Sequence, residues 1–80
     1  MSAGHASDPV AHARSLGITV VAAIMEGRYV GALRQQSGCP PLLVLNELQT
    51  VDCQRAICAE LVSRYLRFVH AGTTDFAYIL

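Results

Sequence analysis

Three cysteines, three histidines and six acids are the side chains through which this 80-residue chain could do chemistry. A cysteine nucleophile needs a lowered thiol pKa and a base beside it. Cys39 falls in a turn rich in glycine and proline, and no spacing sets His12 or His70 next to it. A metal centre needs several Cys or His at ligand spacing, yet His5, His12 and His70 are scattered. Cys53 and Cys58, five apart, point to different sides of a helix, and neither C-x-x-C nor H-x-x-x-H occurs. Asp8, Glu26, Glu47, Asp52, Glu60 and Asp75 mostly sit where helix caps, turns and ion pairs want acids, which leaves no pair for acid–base work. Gly27 and Gly31 do not lie between a strand and a helix, as a phosphate-cradling loop requires. The expectation is a chain with no catalytic residue, no metal and no cofactor.

The basic residues say more. All six are arginines: Arg14, Arg28, Arg34, Arg55, Arg64 and Arg67. The planar guanidinium suits paired contacts with carboxylates or phosphates. Strand alternation puts Arg28 and Arg34 on one face, flanking Val30 and Ala32, with Arg14 as a neighbouring candidate. An apolar strip bracketed by arginines suits protein recognition, so Arg28, Val30, Arg34 and Arg14 are the expected partner-binding residues. The alternative is a half-covered sheet face with solvated arginines. Arg64 and Arg67 make a secondary basic spot, part of which an ion pair from Glu60 to Arg64 would explain.

The elements that must position these residues follow from pattern. Residues 1–7 read as a loose polar lead, and residues 8–80 as one domain. Asp8 and Pro9 are a helix cap and first helical residue for a short helix that Gly17 ends. Residues 18–35 read as a hairpin turning at Glu26-Gly27, with Ile24 opposite Tyr29, Ala22 opposite Gly31, Val20 opposite Leu33 and Ile18 opposite Gln35. A helical reading, with Ala23, Gly27 and Gly31 spaced by four, competes. The β-branched run Ile18-Thr19-Val20-Val21 weighs against it. Residues 42–45 read as a third strand. A helix then starts at Asn46, with Gln49 as capping-box partner, or at Thr50. Over residues 51–70 the apolar side chains cover roughly 200° of the helix, about twice the minimum for a core-facing helix. The first helix or a partner must cover the surplus. Gly72 ends the helix, and residues 75–80 alternate as a strand. The expected fold is α+β, in the order α-β-β-β-α-β, with one long helix packed on an antiparallel sheet.

Composition points the same way. Hydrophobic residues make up 52% of the chain and charged residues only 15%, against about 25% charged in ordinary soluble domains. A domain this small leaves much apolar surface without a core to enter, so some of it is expected to meet another protein. The formal net charge is zero, which supplies no field towards nucleic acid or an anionic membrane. The α-β-β-β-α order is that of a double-stranded-RNA-binding domain. However, Thr50-Val51-Asp52-Cys53 stands where that domain's basic cluster would be, which disfavours direct nucleic-acid binding. The longest apolar run, residues 16–25, falls short of the roughly 20 residues of a membrane span. With no secretory signal in the opening residues, the cysteines are expected to be reduced and the location cytoplasmic.

In its size and in the order of its hairpin (18–35), long helix (51–70) and final strand (76–80), the chain resembles small phage-encoded inhibitors of the anti-CRISPR group. It is equally similar to the β-β-β-α-β antitoxin domains of toxin–antitoxin pairs. The likeness is one of build and carries no site residues. It implies a non-enzymatic inhibitor or regulator that sterically blocks a protein or nucleoprotein target. A self-assembling structural subunit, beginning with a homodimer, is the alternative.

Overall fold

The computed structural model describes residues 8–80; the polar lead expected over residues 1–7 lies outside them. Helix α1 (Pro9–Ser15) starts where Asp8 accepts hydrogen bonds from the Val10 and Ala11 amides, with proline in the first turn. Helix α2 (Val51–His70) is capped by the Thr50 hydroxyl, which accepts from the Cys53 amide at 3.1 Å. Of the two starts the sequence offered, Thr50 is therefore the one used. Both helices end the same way. Beyond α1, the Gly17 and Ile18 amides donate to the Arg14 and Ala13 carbonyls; beyond α2, Gly72 and Thr73 donate to Val69 and Phe68. This closure needs a left-handed residue first, and Gly17 and Gly72 supply φ of +84° and +79°.

The strands are β1 (Thr19–Ala23), β2 (Gly31–Gln35), β3 (Leu42–Asn46) and β4 (Phe76–Ile79), so the element order is the expected α-β-β-β-α-β of an α+β domain. The sheet order is β1-β3-β2-β4. It is mixed: β1 and β3 run parallel, while β2 runs antiparallel to both β3 and β4.

Two expectations are corrected here. The sheet is not purely antiparallel, and the hairpin at Glu26-Gly27 does not form. A two-residue turn of that kind needs a positive φ, and Gly27 has none. Strand β3 lies between β1 and β2 instead. It pairs with β1 on one edge and β2 on the other, and Leu42, Leu43, Val44 and Leu45 make it apolar on both faces. The chain therefore crosses the end of β3 through residues 24–30 before β2 begins. It then turns back through residues 36–41, where the Cys39 amide donates to the Gln36 carbonyl.

Both helices lie on one side of this sheet. Ala13, Ile18, Leu33, Leu43, Leu45, Cys58, Leu61 and Val62 form the closed core between the layers. Tyr65, Phe68 and Phe76 extend it towards β4, with the Phe68 and Phe76 rings stacked at 4.2 Å. Helix α1 packs against α2 and β1, so the first helix covers part of the wide apolar arc of α2. Val51, Leu66 and Val69 on that arc remain exposed.

Candidate partner-binding face

Among the described residues, the opposite side of the sheet carries no helix. Strand register lays its side chains out in transverse rows. Thr19, Leu42, Arg34 and Ala77 form one row from β1 to β4; Val21, Val44, Ala32 and Ile79 form the next. The second row is wholly apolar, and in the first only Thr19 and Arg34 are polar. A one-sided sheet ordinarily turns polar residues to water on its open face. This face does the reverse: Val21 is 40% and Ile79 60% exposed. Ala32, Arg34, Leu42 and Val44 line a shallow depression of about 190 Å³ at its centre.

Arg34 supplies the charge. Among the described residues the one ion pair joins Arg64 to Glu60, so Arg34 meets no carboxylate. Its guanidinium stands exposed beside Leu42 and Val44. The face can therefore bury apolar groups around a cation that has kept its capacity for a bidentate acid contact.

The other expected residues are distributed differently. Val30 is half-buried in the extension of β2, its amide donating to Leu80 and its carbonyl accepting from Asn46. Alternation puts it on the side of Ala32 and Arg34. Arg28 lies in the crossing connection, 5.7 Å from the Tyr29 ring centroid. Arg14 belongs to α1 in the helix layer, so it is not brought to the sheet's open face. In the secondary spot, Arg64 is tied to Glu60 at 3.2 Å and sits 4.8 Å above the Tyr78 ring. Arg67, three residues further along α2, lines a broad shallow depression with Ser63, Leu66 and His70.

Sequence reasoning missed Leu42, Val44, Ala77 and Ile79 as members of the face. The signal for the first two was present, because a strand apolar on both sides must show one of those sides to something. No group of His, Cys, Asp or Glu suited to a metal ion occurs among the described residues. Burial pushes the Cys58 thiol above its ordinary pKa, the Asp8 carboxylate adds to the rise and Arg14 opposes it, which makes that sulfur a poor nucleophile. No described helix is long and apolar enough to cross a membrane. Comparison of the chain with protein families, with curated proteins and with solved structures finds no match.

Proposed function

We propose that this chain works by binding, as a non-enzymatic inhibitor or regulator of the anti-CRISPR kind that sterically blocks a surface of a larger protein or nucleoprotein complex in the cytoplasm. The observation that supports this reading is the open sheet face, which is apolar across all four strands and carries an unpaired arginine. Such a face costs solubility while it is empty and gains apolar burial once it is covered. Arg34 is its orienting contact, and Arg28 with Val30 extends it along the crossing connection.

The test is quantitative co-purification. The tagged chain is passed through a bacterial lysate beside two variants, Arg28→Glu/Arg34→Glu and Val44→Asp, each checked for fold by circular dichroism. A complex held by the native chain and lost from both folded variants supports the reading. Equal retention by all three proteins overturns it. Inhibition of reconstituted RNA-guided nucleases by the native chain then decides whether the target is of the anti-CRISPR class.

One observation favours a second reading. Among the described residues, strand β4 lies at the sheet edge with only β2 beside it, which leaves its outer backbone groups open to another strand. Self-association through that edge would make the chain a structural subunit. Light scattering over a range of concentrations tests this: a monomer at every concentration removes it.

A further inference from the structure

The binding reading leaves open what covers the sheet, and the chemistry of the face narrows the choice. We infer that its occupant is a single amphipathic helix of a partner protein, laid across the strands with an acidic side chain against Arg34. The inference rests on the proposed binding function.

Size argues against a second copy. Four strands spaced by about 4.8 Å, each rising about 3.3 Å per residue, give a face roughly 15–20 Å on a side. Stable specific interfaces bury about 800 Å² on each partner, and a patch of these dimensions offers less than half of that.

Backbone chemistry argues against an extended segment. A strand laid on the face, rather than along an edge, would leave its amides and carbonyls unpaired against Val21, Val44 and Ile79. A helix satisfies its own backbone, and about 11 residues of it span such a face. Apolar groups at i, i+3, i+4 and i+7 would meet the Val21–Val44–Ala32–Ile79 row. A lone arginine between apolar rows is also too little charge to track a phosphate backbone, so the partner is a protein. A helix there completes a three-layer arrangement with the sheet buried on both sides.

Two synthetic helical peptides of identical apolar stripe test this, one with glutamate and one with lysine beside the stripe, titrated into the ¹⁵N-labelled chain. The expected result is that the glutamate peptide shifts the amides of Val21, Ala32, Arg34, Val44 and Ile79. It should bind at least about tenfold more tightly than the lysine peptide, and Arg34→Glu should reverse that order. If Arg34→Glu does not fold, the peptide pair on the native chain decides alone. Equal binding of both peptides, shifts confined to α2, binding of neither peptide, or concentration-dependent shifts without peptide each overturn the inference. If neither peptide binds while co-purification still depends on Arg34 and Val44, the helical occupant falls and the binding function stands.

Discussion

Among the described residues, Asn46 is the one polar side chain closed off from water, at 1% exposure. Its amide nitrogen donates to the Tyr29 carbonyl at 2.8 Å, and its oxygen accepts from the Leu48 amide at 3.0 Å and the Met25 amide at 3.4 Å. One side chain thus ties both ends of the crossing connection to the end of β3. Asn46→Ala removes all three hydrogen bonds from an enclosed position and should cost about 1–3 kcal/mol in urea unfolding. Asn46→Asp should also destabilise, because a carboxylate cannot donate to Tyr29. A loss too small to measure would mean the connection holds itself. The cysteines divide by the same criterion of access to water. Cys39 is exposed, Cys53 is half-buried and Cys58 is fully enclosed. A disulfide reagent should modify Cys39 first and reach Cys58 only through unfolding. Because the folded state raises the Cys58 pKa, the unfolded chain ionises first as pH rises. This thiol's contribution to stability is therefore complete below about pH 8.5 and falls away above it. Melting of Cys58→Ala should show a smaller loss between neutral and alkaline pH than the native chain.

At the scale of elements, the close approach of α2 to β2 depends on Gly31. A Cβ there would stand 2.7 Å from Ile57 Cγ2, 3.0 Å from Leu61 Cδ1 and 3.1 Å from the Val44 carbonyl oxygen. Gly31→Ala therefore overpacks the layer and should cost about 1–3 kcal/mol by denaturant titration. An unchanged midpoint would show that the helix can lift without penalty. The same contact explains what could be read from the sequence. Ala22 and Gly31 were expected opposite each other, as were Val20 and Leu33. Each pair does share a row, but Leu45 or Leu43 stands between its members. Inserting a whole strand leaves alternation untouched, so the inner and outer faces survived an incorrect pairing. The grouping of Arg34 with Ala32 survived for the same reason. The pairing itself was not legible, because Glu26-Gly27 suits a tight turn on local grounds. What overrides it is non-local: β3, later in the chain, inserts between β1 and β2 and pairs with both. Arg14 was misplaced for a related reason: nothing local to a short helix says which sheet face it will cover.

For the molecule as a whole, the two sides of the sheet are separable, and one step along β3 passes between them. Leu43 is fully enclosed beneath the helices, whereas Val44 faces the open side beside Ala32 and Arg34. The closed core is small, while Val21, Ile24, Leu48, Val51, Leu66, Val69 and Ile79 all keep 40% or more of their surface in water. Stability should therefore rest on one face of β3 and association on the other. Threonine tests this cleanly, since it is a good strand former at either position. Leu43→Thr removes buried methyl groups and places a hydroxyl in the core, and should cost about 2–5 kcal/mol. Val44→Thr keeps the shape at a half-buried position outside the closed core and should cost less than Leu43→Thr, about 1 kcal/mol. Equilibrium unfolding of both variants measures the contrast, and co-purification with Val44→Thr should weaken although the fold is intact. Equal destabilisation by the two substitutions would mean that the outer face is already part of this chain's own core, and the case for a partner upon it would be lost.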